Sequence, residues 1–201
     1  MLNYQADLSS VDHWSVRTPV QKEMDSRTAE RPDQDRLHWK SCKLIGACRR
    51  FGQHGNWRNS CGCAELTEAV EALRTALALV EDVKAEQIHW AGTQGNLALA
   101  QRRLGDVTDD LPTLNTARQG YGACEALDYK TDSPFSWAVL QWNIADLALA
   151  RYRLDPDPAV LSEAKTYVTA ARAFFVDGSD YQTERCDDLL GKIKTAEAAQ
   201  P

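Results

Sequence analysis

Histidine and cysteine crowd one short stretch of this chain: His38, Cys42, Cys48, His54, Cys61 and Cys63. Thiolate and imidazole are preferred ligands of zinc, so the first chemistry to weigh is a structural metal site tying a helix to a long loop. The spacing is poor for it. No pair of Cys-x-x-Cys motifs occurs, Cys61-Gly62-Cys63 is tighter than the usual zinc knuckle, and Cys48 falls on an apolar helical position. The expectation is therefore no metal ligand, no cofactor, and thiols that serve as packing groups. Cys124 and Cys186 also lie inside apolar helical patterns, where a thiol behaves as a small hydrophobe.

Nucleophilic catalysis finds as little support. The sequence has no Gly-x-Ser-x-Gly, no phosphate-cradling glycine loop and no His-Glu-x-x-His. His89 stands alone beside Trp90, and the acidic pairs Glu81-Asp82, Asp109-Asp110 and Asp187-Asp188 fall at turns or on solvated faces. Capping and solubility account for such pairs, and no enzyme is expected. An excess of 29 acidic over 23 basic side chains, for a net charge of -6, argues against nucleic acid, which demands a positive surface. No apolar run is long enough to span a membrane. The first residues, Met1 to Asp7, lack the basic flank and apolar stretch of a secretory signal. The expected compartment is the cytoplasm, where thiols stay reduced.

What remains is a set of polar residues that recur. Trp90-Ala91-x-x-Gln94-x-Asn96-Leu97-Ala98 returns as Trp137-Ala138-x-x-Gln141-x-Asn143-Ile144-Ala145, and a weaker copy lies around Leu37 to Gly52. Self-similarity at a spacing of roughly 50 residues marks a repeat array, in which each unit buries its apolar face by stacking on its neighbour. Within each copy the glutamine stands four residues after the tryptophan and shares its face, which suits a buried hydrogen-bonding group. The asparagine points about 200° away from the glutamine. It looks the other way with Ala100 and Arg103 in one copy, and with Asp146, Ala150 and Arg153 in the next. There it serves either as a contact or as a group that satisfies backbone atoms or the other asparagine between units.

These residues must be positioned by helices. Leu66, Ala69, Val70, Leu73, Leu77 and Val80 recur at spacings of three and four and leave Glu65, Glu68, Glu71 and Arg74 outside, the pattern of an amphipathic helix. The Trp90 helix should end at Gly105 in a left-handed turn. Asp109 and Asp110 ahead of Pro112, and Ser133 ahead of Pro134, read as side-chain caps. Gly120 and Gly122 inside the intervening helix predict a close helix approach. The span from Trp137 to Ala150 is so poor in charge that both its sides should be covered, placing it at the centre. Asp155-Pro156-Asp157-Pro158 stops it, a helix through Leu161, Val168 and Phe175 follows, and a last helix starts at Tyr181. Gly52 to Gly62 reads as a loop.

The wording Trp-Ala-x-x-Gln-x-Asn-Leu, a small residue and Leu-Gly, with a partner helix such as Leu66-Thr67-Glu68-Ala69-Val70, resembles the long-period tetratricopeptide-like repeats of many bacterial proteins. The likeness covers about 37 to 195, although the period exceeds the usual 34 residues of such repeats. It implies an all-α fold, a right-handed solenoid of stacked antiparallel hairpins with about seven helices. A flexible leader is expected over 1–34 and one repeat domain over 35–199, with units at 37–87, 88–133 and 134–178 and a capping helix at 180–198. The resemblance also implies a protein- or peptide-binding scaffold without catalysis, with Asn96, Arg103, Asn143, Asp146 and Arg153 as the contact residues. Two alternatives stand beside it: a structural or self-assembling helical module without a groove, and a small regulatory domain with zinc in the Cys/His cluster.

Overall fold

The computed structural model describes residues 60–79, 87–127 and 130–199. The chain divides into two compact units, Met1–Asp82 and Val83–Pro201, so the expected repeat domain over 35–199 spans parts of both. Six α-helices and no strand occur among the described residues: α1 (Ser60–Ala78), α2 (Gln87–Thr108), α3 (Leu111–Glu125), α4 (Pro134–Leu154), α5 (Pro158–Phe175) and α6 (Asp180–Ala198). The weaker copy around Leu37 to Gly52 and the leader expected over 1–34 lie outside the described residues.

In the first unit, α1 buries Leu66, Ala69, Val70, Leu73 and Ala76 and leaves Glu68, Glu71 and Arg74 exposed. The period of three and four thus selects the buried stripe from Leu66 to Leu73 as expected, with Leu77 at its edge and Val80 outside the described residues. Arg74 also reaches back to Glu71 at 2.7 Å. The helix begins at Ser60, so Cys61, Gly62 and Cys63 belong to its first turn and not to a loop ending at Gly62.

In the second unit each helix packs on the next in sequence, and α4 additionally touches α2 and α6. Neighbours run antiparallel. Gly105 on α2 meets Leu114 near the start of α3, and Gly120 meets Gln94 and Ala98. Phe135 at the start of α4 packs edge-on against Phe174 and Phe175 at the end of α5. Lys165 and Arg172 on α5 pair with Glu197 and Asp187 on α6.

Two apolar clusters share α4. One joins Ala91, Ala98, Leu114, Ala117, Tyr121 and Cys124 to Leu140, Ile144 and Leu147. The other joins Ala138, Ala145 and Ala148 to Leu161, Val168, Phe175, Cys186, Leu189 and Ile193. With apolar residues on both sides, α4 has no wholly solvated face, which is what its lack of charge demanded. Burying one leucine or phenylalanine fully contributes about 1.5–3 kcal/mol, so these clusters dominate the unit's stability.

The turns depart from expectation in an instructive way. α2 does not stop at Gly105 but continues to Thr108, and the left-handed residue is Asp109, with φ 51°. The Asp110 amide then donates to the Gly105 carbonyl at 2.8 Å, the six-to-one bond of a Schellman ending. Gly105 has another task. A Cβ there would lie 2.8 Å from Leu114 Cδ2 and 3.0 Å from the Asp110 carbonyl oxygen, so glycine lets α3 cross close over the end of α2. Gly120 serves the same approach, whereas at Gly122 the nearest atom is Arg118 Nη1 of its own helix.

Neither Asp110 nor Ser133 caps a backbone amide with its side chain. Their oxygens are engaged by neighbouring hydroxyls instead, Thr113 donating to Asp110 and Ser133 to Ser136. True side-chain caps occur later, where Asp157 accepts from the Ala159 amide at 2.9 Å and Ser179 from the Gln182 amide at 3.3 Å. Ser179 thereby starts α6 at Asp180, one residue before Tyr181.

Candidate interaction surface

Residues three and four apart share a helix face, and one such stripe on α4 runs through Trp142, Asp146, Leu149 and Arg153. All four side chains are partly or fully exposed. The neighbouring stripe on α2 is Leu99, Arg102 and Asp106, each half-buried. Ion pairs tie the two rows together. Arg102 Nη2 lies 2.9 Å from Asp146 Oδ2, and Arg153 Nη2 lies 3.1 Å from Asp106 Oδ1 and 2.8 Å from Asp109 Oδ1. Because Arg102 meets Asp146 and Asp106 meets Arg153, α2 and α4 run parallel.

The two pairings differ in strength. Side chains of Arg102 and Asp146 are 19% and 22% exposed, whereas Arg153 and Asp109 are 45% and 49% exposed. Exposed pairs are screened and contribute about 0–1 kcal/mol. The enclosed pair works at lower dielectric, where the same distance gives a larger attraction. Burial alone would lower the Arg102 pKa, but Asp146 and then Asp106 outweigh it and the net direction is up. This guanidinium stays charged.

Behind it lies Tyr121 of α3, 1% exposed. Burial raises its hydroxyl pKa, with Arg102 opposing and Asp146 reinforcing, so the phenol stays protonated and able to donate.

A second polar seam joins α3 to α5. Arg118 Nε donates to Glu163 Oε1 at 2.9 Å and its Nη2 to the Tyr167 hydroxyl at 3.2 Å, while Nη1 approaches Glu125 at 3.2 Å. Arg151 of α4 reaches Asn115 at 2.9 Å and lies 3.7 Å from Glu163. Further along, Arg185 of α6 stacks over the Trp142 ring at 3.8 Å from its centroid, and Trp142 Nε1 donates to the Arg185 carbonyl at 3.3 Å.

Of the five residues singled out in the sequence, Asp146 and Arg153 enter the α2–α4 seam. Arg103 is half-buried one position beside Arg102, and Asn143 is half-buried one position beside Trp142 and three before Asp146. Asn96 is 3% exposed, so its side chain is covered and does not look outward as its helical angle suggested. Gln141 is buried, as is Gln101, while Gln94 is half-buried against Gly120. Trp90 and Trp137 are half-buried, the latter packed against both apolar clusters with Lys130 4.1 Å over its ring. Missed altogether were Arg102, Asp106, Arg118 and Glu163. The stripe 99, 102, 106 at helical spacing was the signal that could have found the first two.

Cys124 and Cys186 are buried packing groups. Cys124 donates to the Ala91 carbonyl at 3.6 Å. Burial pushes its pKa up to about 12 and that of Cys186 to about 11, which leaves little nucleophilic thiolate at neutral pH. His38, Cys42, Cys48 and His54 lie outside the described residues. Among the described residues no group of three or more His, Cys, Asp or Glu is placed to hold a metal, and no helix is long and apolar enough to cross a membrane. No protein-family model matches the chain, and neither a curated protein nor a solved structure does.

Proposed function

We propose that the chain is a tetratricopeptide-like scaffold that binds a protein or peptide through its side-by-side helix hairpins, without catalysis. The observation that carries this reading is the α2–α4 seam. Two parallel helices present adjacent rows in which Leu99, Asp146, Leu149 and Arg153 retain exposure, on a frame fixed by two apolar clusters. Such a frame sets geometry, and the row of side chains sets what it recognises. Arg153 is the best single contact. Its bonds to Asp106 and Asp109 are exposed and cost little to exchange for a partner's carboxylate. Asp146, Asn143 and Arg103 would flank it.

The test is retention from a native extract on immobilised protein, repeated with Arg153→Ala and with Asn143→Ala. The reading expects a reproducible, identifiable protein that both folded variants hold more weakly. Retention undiminished by either variant would remove the seam from recognition. The enclosed pairing of Arg102 with Asp146 supports a second reading, a structural helical module whose charges serve its own hairpins. That reading expects no retained protein and a loss of stability when the pair is broken.

A further inference from the structure

Two polar atoms sealed inside the second unit, the Tyr121 hydroxyl and Arg102 Nε, have no hydrogen-bond partner among the protein's atoms. Leaving either group dry costs about 1–3 kcal/mol, and buried polar groups in folded proteins nearly always find a protein or water partner. Both belong to one neighbourhood. Arg102 sits on α2, Tyr121 on α3 and Asp146 on α4, Arg102 Nη2 is 2.9 Å from Asp146, and the three act on one another electrostatically. We infer that Tyr121, Arg102 and Asp146 enclose a binding site for one internal water molecule, which links α3 to the ion pair joining α2 and α4.

The hydrogen-bonding inventory selects water over the alternatives. Arg Nε–H can only donate, and the protonated phenol can donate or accept. The carboxylate of Asp146 only accepts, and Arg102 Nη2 occupies one of its oxygens. Water accepts from Arg102 and Tyr121 and donates to Asp146, which makes about three bonds, the usual number for a buried water. An anion would meet the carboxylates of Asp146 and Asp106 beside a guanidinium they already neutralise. A cation would meet that guanidinium itself.

An atomic-resolution crystal structure of the full chain tests it directly. The expected result is a single ordered water within hydrogen-bond distance of Tyr121 Oη and Arg102 Nε. Tyr121→Phe provides the thermodynamic arm. Removing a hydroxyl that a water satisfies should lower the melting temperature by about 2–4 °C, whereas removing an unpartnered one should leave it unchanged or raise it. A dry site in the crystal, or a phenylalanine variant that melts at or above the wild type, overturns the inference.

Discussion

The two copies of the tryptophan segment are most informative where they differ. Laying Trp137 on Trp90 puts Ala138 on Ala91, Ile144 on Leu97 and Ala145 on Ala98, and all of these are buried. It also puts Asp146 on Leu99, Leu149 on Arg102, Tyr152 on Gly105 and Arg153 on Asp106. These non-identical positions make the ion pairs between the copies and admit α3 across the end of α2. Repetition supplies the core, and divergence supplies the fit between neighbours. An identical stripe on both helices would have set like charges beside each other, because Asp106 faces Arg153 at the same register.

Substitutions test that contrast. The largest effect is expected from Gly105→Ala. Its new methyl would meet both the Leu114 side chain and the Asp110 backbone oxygen, and overpacking of this kind costs about 1–3 kcal/mol. Chemical denaturation should show it; a neutral result would mean that α3 does not cross where described. Arg102→Met should come next, at about 2 kcal/mol, since it strands the half-buried Asp146 carboxylate. Gly191→Ala should go the other way. This residue sits exposed within α6 with nothing within 4 Å of the added methyl, so the variant should gain about 1 kcal/mol from helix propensity. Arg153→Ala, at the exposed end of the seam, should change stability by less than about 1 kcal/mol, and any loss should shrink further in high salt.

The smallest expected effect is a pH dependence on α6. A hydrogen bond from Arg172 holds the Asp187 carboxyl below its ordinary value of 3.8. A lowered folded-state pKa means that the pair's contribution is complete above that ordinary value. It is lost as the pH falls through the lowered one. Titration by NMR should show the Asp187 midpoint moving up on Arg172→Ala. An unmoved midpoint would show that the pair does not form in solution.

Much of the fold was legible because apolar spacing reports burial directly. Leu66 to Leu73 on α1 and Leu161 to Phe175 on α5 follow the period of three and four, and the charge-poor span of α4 announced a helix covered on both sides. The ends of helices were less legible. Gly105 fits a helix stop equally well as a close approach, and only the position of Leu114 separates the two. The seam was hardest to read. Recurrence directs attention to residues that match between copies, so Asn96 stood out although it is buried, while Arg102 and Asp106 were passed over. Their partners lie more than forty positions away, and which charge meets which depends on the parallel register of α2 and α4, which no local pattern encodes.

A double-mutant cycle on Arg102 and Asp146 measures how far the divergent positions hold the two copies together. The stabilities of Arg102→Met, Asp146→Asn and the double variant would be compared with wild type by denaturant unfolding. If divergent positions bind the two copies together, the double variant should be less destabilised than the sum of the singles, by about 1 kcal/mol or more. Additivity to within about 0.3 kcal/mol would mean that the pair is a coincidence of geometry and that the recurrent core alone joins the hairpins.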